Sequence, residues 1–304
     1  MVSTNRDRLV AMSLMGQVIS PSYPAIPAIP HQIDHEGKPR LLPSLGGIVY
    51  NVKIGDPVFG WAGDNIEPGV AIKAPDAAAN QALNLFACVG NEAVVMTGGA
   101  KGARGVVTGK SGRFAEHVII HFAPDVLEQM VFGDKIVVRA CGVGMTIDEF
   151  PGIRLKSLAP VLFARLRVEE NDGRLTVPVS AVVPPELMGA GAGLTSDGGA
   201  ICIQSMDRAA LRKHGLDQLR LGDIVAIADY DSAFLHGYRK GGISLGVVSS
   251  TDSIKAGYGP GVTLLMSAPR GELDPMPVEQ INLTGLLELT GADRLARTAE
   301  EGSL

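Results

Sequence analysis

The chain has 304 residues, 46% hydrophobic and 19% charged, with 38 glycines and 19 prolines. That is ample apolar material for one large core or two and too little charge for a disordered chain, while the glycines and prolines call for many turns. A net charge of −5 without a lysine–arginine block weighs against a nucleic-acid partner, and three scattered cysteines exclude a disulfide framework or a CxxC zinc site and suit a reducing cytoplasm.

From the N-terminus, Asn5 to Ser20 ("NRDRLVAMSLMGQVIS") imitates the charged and apolar regions of a signal peptide. Its apolar run is short, Gln17 interrupts it and no A-x-A site follows, so it reads as an opening strand. "PSYPAIPAIP", Pro21 to Pro30, spaces its prolines as an extended, polyproline-like surface arm. Further on, short β-branched runs bounded by Gly, Pro or Asp read as strands: "GIVYNV", "EAVVMT", "EHVIIHF", "KIVVRA", "LTVPVSAVV", "DIVAIAD", "ISLGVVSS" and "VTLLMS". Only "DVLEQM", "SLAPVLFARLRV", "DRAALRKHG" and the tail from Thr284 read as helices. No segment approaches the roughly 20 apolar residues of a membrane span.

One internal repeat is present. "LEQMVFGDKIVV" from Leu127 and "LDQLRLGDIVAI" from Leu216 align without a gap, and "IGDPVFGW" from Ile54 is a shorter copy. In each, Gly permits a tight turn and Asp can bond the turn backbone before a strand begins. The repetition predicts a mainly β protein of two small barrel-like domains with short helices, residues 1–152 and 153–304.

Gly105 to Ser111 ("GVVTGKS") ends like a Walker A loop. The G-x-x-x-x-G-K-[ST] spacing would need glycine at Arg104, and Val106, Val107 and Thr108 are strand formers, so it is not a phosphate loop. Through Val95, Thr97, Gly98, Lys101, Gly102, Gly105 and Val107, residues 95–107 instead resemble the KOW motif of ribosomal proteins and transcription-elongation factors. The resemblance implies an SH3-like small barrel in the N-terminal domain. RNA contact carries over poorly, because no aromatic interleaves Lys101, Arg104, Lys110 and Arg113. As a whole, through "GGIVYNVKIGDPVFGWAGDNIEPGV", "LGDIVAIADYDSAFLHGYRKGGISLGVVSS" and "GYGPGV", the chain resembles a bacterial and archaeal family known as a domain of unknown function. That likeness implies a two-part β-rich architecture and lends no catalytic residues.

Three stretches carry candidate chemistry. In "ADYDSAFLHGYRKGG", Asp229 and Asp231 at a strand end would share a face, with His236, Tyr238, Arg239 and Lys240 in the loop that follows. Such carboxylates can hold a hard divalent cation or act as acid and base; the plainer reading is an Asp–Arg/Lys cluster fastening a hairpin. In "GWAGDNIEPGV", Trp61 with Asp64, Asn65 and Glu67 suits a polar small molecule, or else forms a self-satisfied turn beneath the indole. "MGAGAGLTSDGGA" lacks the G-x-G-x-x-G spacing and reads as a flap or an anion-binding nest. His117 and His121 in "HVIIH" stand about 13 Å apart on a strand, too far to share a zinc, and read as surface or lightly buried.

The leading expectation is a cytoplasmic, self-associating enzyme or binder of a small polar metabolite, a hydrolase assisted by carboxylates or metal. Asp229, Asp231 and His236 are its catalytic candidates, and the two aspartates its metal ligands. The rival is a non-catalytic module whose KOW-like barrel binds RNA or protein.

Overall fold

The computed structural model describes residues 2–21, 31–112 and 116–289. The proline-rich arm beyond Pro21, Arg113 and the tail beyond Leu289 lie outside the described residues.

The fold is mainly β, as the punctuation of the sequence by glycine and proline implies. In the N-terminal part the strands are β1 (Met12–Val18), β2 (Gln32–Ile33), β3 (Pro39–Arg40), β4 (Ile48–Val49) and β5 (Gly69–Lys73), then β6 (Glu92–Val95), β7 (Arg104–Ser111), β8 (His117–His121) and β9 (Lys135–Ala140). Six of them run in the order β1-β9-β6-β7-β8-β5, and a β1–β5 pairing closes the ring into an antiparallel barrel. Its interior is filled by Val18, Ile72, Val95, Val107, Ile120, Ile136 and Val138. The KOW-like segment forms β6, a glycine turn and β7, with Ala93 opposite Gly105.

In the C-terminal part, β13 (Ala181–Val183), β15 (Ile224–Asp231), β16 (Gly237–Val248), β17 (Gly261–Ala268) and β10 (Arg154–Leu155) form one sheet, with β14 (Ile201–Cys202) also paired to β17. A second sheet contains β11 (Glu169–Asn171), β12 (Arg174–Val179) and β18 (Leu273–Pro277). The larger core lies here, and it includes Val52, Ile54, Val58 and Ile66. The long β4–β5 connection therefore leaves the barrel and packs into the other core, joining the two parts through buried apolar surface.

Helices α2 (Pro124–Leu127), α3 (Pro160–Arg165), α4 (Arg208–Lys213) and α5 (Leu283–Leu286) fall where the sequence places them. The longest, α1 (Ala77–Phe86), was not anticipated. Asp76 caps it by accepting from the Ala79 N–H at 2.8 Å, and its alanines favour the helix, but its apolar face is narrow and so gives a weak periodic signal. The sequence reading also gives no strand at β2, β3, β5, β10, β11, β14 or β18.

The repeated Gly-Asp corners are one device used three times. Gly55, Gly133 and Gly222 have φ of 98°, 89° and 89°, the left-handed region that disfavours any side chain. Each following aspartate accepts from the backbone N–H three residues earlier: Lys53 to Asp56, Val131 to Asp134 and Arg220 to Asp223. Each Gly-Asp pair also clasps a single residue elsewhere, the Gly donating to its carbonyl and the Asp carbonyl accepting from its N–H. The clasped residues are Leu221, Val18 and Val248.

Gly105 lies where β7 passes close to the end of β8. A Cβ there would sit 2.5 Å from the His121 carbonyl oxygen and 2.6 Å from the Phe122 ring. Backbone cannot yield as a flexible side chain can, so Gly105→Val is expected to lower stability by roughly 1–3 kcal/mol. An unchanged melting temperature would show that the barrel does not need the glycine.

Candidate functional site

The acidic strand end is built around a bulge. Asp229 adopts a left-handed conformation (φ 49°), and the β15–β16 register shifts there, which breaks the simple alternation expected of Asp229 and Asp231. Asp229 Oδ1 accepts from the Gly241 N–H at 2.7 Å, fixing the return loop. Asp231 is occupied separately, by the Ala233 N–H at 2.9 Å and by Arg239 Nη1 at 3.0 Å. Tyr238 and Lys240 are exposed on this hairpin. Among the described residues no three His, Cys, Asp or Glu side chains form a group able to hold a metal ion.

The Trp61 loop is likewise bonded inward. Trp61 Nε1 donates to the Pro57 carbonyl at 2.7 Å, and the Asn65 amide donates to the Thr251 and Gly259 carbonyls. Buried Asp64 accepts from Ser253 Oγ at 2.5 Å and pairs with Lys255 at 3.1 Å. Asp64, Asn65 and the 251–259 loop thus form a clasp between the two parts. Glu67 is wholly buried, accepting from the Gly46 N–H and Ser111 Oγ, with His117 Nδ1 at 3.0 Å. Burial opposes the charged form of His117, but the bond and charge of Glu67 outweigh it and raise its pKa. His117 and His121 are both buried, contrary to the sequence reading, because their strand is covered on both faces of the barrel wall.

The one nominated residue that leads to a larger cluster is His236. It is buried, its Nδ1 lies 3.1 Å from Ser232 Oγ, and burial together with the Lys156 charge brings its pKa down to about 4, so the ring is neutral at pH 7. The glycine-rich segment 189–200 lies over it: Gly193 donates to the His236 carbonyl, Ser196 to the Phe234 carbonyl, and the His236 N–H to the Leu194 carbonyl. Asp197 of that segment carries the contacts inward. Its carboxylate pairs with Lys156 at 2.7 Å, and its carbonyl accepts from Lys110 at 3.2 Å.

Lys110 sits on β7, fully buried in the seam between the barrel and the larger C-terminal sheet, the one that contains β16 and β17. Its backbone is bonded to Thr263 and Ser249 across the seam. The ammonium also donates to Ser157 Oγ at 2.7 Å. Burial lowers its pKa to about 8. Burial pushes the Cys88 thiol up to about 11, so it stays neutral and brings no negative charge to Lys110. Among the described residues Asp197 is the one carboxylate that reaches this cluster, and it is engaged by Lys156. At the mouth, the exposed Phe234 ring is flanked by Arg154 at 5.9 Å and Lys156 at 5.7 Å, two residues apart on β10 and beyond, as strand alternation directs. Sequence reasoning missed Lys110, Ser157 and Asp197. The available signal was a lysine inside the strand-forming run "GVVTGKS", which had been counted among the basic residues of the KOW-like turn. Of the others, Lys101 is exposed and Arg104 pairs with Glu92.

A cavity of about 780 Å³ opens elsewhere, between Arg165, Arg167, Thr176, Met276 and Glu288. Size alone favours it, but Arg165 there is already bonded to the Leu286 carbonyl and lies 3.5 Å from Glu288. The seam instead holds the perturbed titrating groups, Lys110, Cys88 and His236, of the kind that mark functional sites.

Two family models match the chain: "Domain of unknown function (DUF4438), N-terminal" over residues 31–164 and "Domain of unknown function (DUF4438), C-terminal" over residues 165–287. The crystal structure of TM1086 is 40% identical, covers 93% of this chain and 98% of its own, and superposes with a TM-score of 0.88. None of the curated proteins matches.

The His236 environment yields a pH test. Unfolded, the imidazole takes up a proton near pH 6.5; folded, it resists until about pH 4. Stability should therefore be present above pH 6.5 and decline as pH falls toward 4, by on the order of 2–3 kcal/mol from this group. In urea titrations between pH 7 and 4, His236→Gln should lose less stability than wild type. Parallel losses would show that His236 is not held neutral.

Proposed function

The chain belongs to the DUF4438 family, and we propose that it binds a small polar metabolite bearing an anionic group at the seam and hydrolyses it. The observation that carries this reading is the charge imbalance of the cluster among the described residues: two lysines, Lys110 and Lys156, are drawn out of water against one carboxylate, Asp197. A buried charge without full compensation is costly, and an anion would relieve that cost. Arg154 and Phe234 at the mouth offer a cation and a flat apolar face to an incoming ligand. The segment 189–200 is the natural lid, because its described ties to the 232–236 turn are mainly backbone bonds.

The carboxylate- or metal-assisted form of the hydrolysis, through Asp229 and Asp231, has less support, since each carboxylate already has protein donors. Trp61, Asp64, Asn65 and Glu67 serve this proposal as the frame that aligns the two walls. A cytoplasmic setting is supported by Cys88, Cys141 and Cys202, all free thiols. Self-association is supported by Val131 and Phe132, both more than half exposed at one end of the barrel. A domain junction at 152/153 is supported by Arg154, the first residue of β10, which pairs with β17 in the larger C-terminal sheet.

A thermal-shift series with small mono- and dicarboxylates and phosphates should find at least one that raises the melting temperature of the wild type. Stabilisation at a hundred times Kd would be about 2.7 kcal/mol. The rise should vanish in Lys156→Met, a tolerable change because Asp197 is 47% exposed and can turn to water. A wild-type melting temperature indifferent to every anion at millimolar concentration would defeat the proposal.

A further inference from the structure

Within that reading, we infer that Ser157 and Lys110 are a nucleophile and base pair for acyl transfer, acting on an amide or ester of the bound metabolite. Both are held by backbone rather than by each other. The Ser157 N–H donates to the Leu264 carbonyl at 3.2 Å and its carbonyl accepts from Val89 at 2.8 Å, while Lys110 is fixed by Thr263 and Ser249. Their side chains meet at 2.7 Å, within reach for proton transfer in either direction. No carboxylate is bonded to the Lys110 amine among the described residues, so nothing locks it as a permanent ammonium. Desolvation already brings its pKa to about 8, leaving a usable fraction of free amine at neutral to mildly alkaline pH.

The step balances with water as the only co-reactant. Ser157 Oγ bonds to the acyl carbon as its proton passes to the Lys110 amine, and the carbonyl electron pair moves to oxygen. Collapse of that oxyanion breaks the C–N or C–O bond, and the Lys110 ammonium returns the proton to the departing amine or alcohol. Water, deprotonated by the same amine, then attacks the acyl-serine ester, and the Lys110 ammonium returns that proton to Ser157 Oγ as its C–O bond breaks, releasing a carboxylic acid and restoring both residues. Ser157 and Lys110 are sealed in the closed seam, so access requires the Asp197 carbonyl to leave Lys110 as the 189–200 segment lifts.

The test treats the full-length protein with a small fluorophosphonate and follows the adduct by intact mass and peptide mapping between pH 6 and 10. Labelling is expected at Ser157, with a rate that rises to a plateau through an apparent pKa near 8. Ser157→Ala should abolish it, and Lys110→Met should slow it about 100-fold or more. The wild-type pH profile keeps the test decisive even if Lys110→Met folds poorly. No adduct at Ser157, or a labelling rate without that pH dependence, overturns the pair. Anion-induced stabilisation measured in Ser157→Ala separates the two proposals. Its persistence alongside an unlabelled wild type leaves the binding reading standing and removes only the serine–lysine chemistry. Its absence from both the wild type and the variant, with Ser157 nonetheless labelled, does the reverse.

Discussion

Withdrawing the Lys110 amine from water costs several kcal/mol, and much of the surrounding architecture can be understood as meeting that cost. Strand β7 belongs to the barrel wall, but its last residues also bond to Thr263 on β17 and to Ser249 just after β16, at the larger C-terminal sheet. Gly109 must lack a side chain there, because a Cβ would overlap Ser249. The seam is therefore tight enough to exclude water from Lys110 and polar enough to give its ammonium two acceptors, Ser157 Oγ and the Asp197 carbonyl. A lysine in such a place is poor structural cement: an apolar residue of similar length would stabilise the seam more simply. Its presence favours a chemical role over a purely structural one.

The clasps that align the two walls are made of short-range chemistry repeated in the chain. Each Gly-Asp corner uses a left-handed glycine to turn and an aspartate to satisfy the turn, and then grips one residue of another segment from both sides. Two of these grips tie directly into the second core, since Gly55 and Asp56 hold Leu221, and Gly222 and Asp223 hold Val248. The β4–β5 connection is thereby fixed between the barrel and the sheet, and Trp61, Asp64 and Asn65 lie on it. Their inward bonding follows from that position.

This explains what was legible in the sequence. The corners, most strands and four of the helices depend on neighbours close in the chain, so residue type and spacing reveal them. The Asp231–Arg239 pair is of the same kind, eight residues apart, and the fastened-hairpin alternative for that stretch was already visible. Helix α1 escaped because its alanines confer propensity without a strong apolar stripe. Lys110 escaped for a different reason. Its acceptors, Ser157 and Asp197, lie 47 and 87 residues away, and no local pattern announces contacts of that separation.

The same distinction bears on which cluster is suited to chemistry. Asp229 and Asp231 are satisfied by donors on their own hairpin, so a ligand would have to displace bonds that hold the loop together. In the seam, one contact on Lys110 comes from a covering segment, and the partner it would retain when that segment moves is the Ser157 hydroxyl. Lifting Asp197 would also loosen its pairing with Lys156, exposing two cations at once where an anion could enter. His236, kept neutral beside them, adds no third charge to repel Lys156 and leaves the lid region free to close over an occupied site. On the proposed reading, opening the segment and creating the anion site would be one event, with the free energy of binding offset against the desolvation of the lysines that the closed seam already sustains.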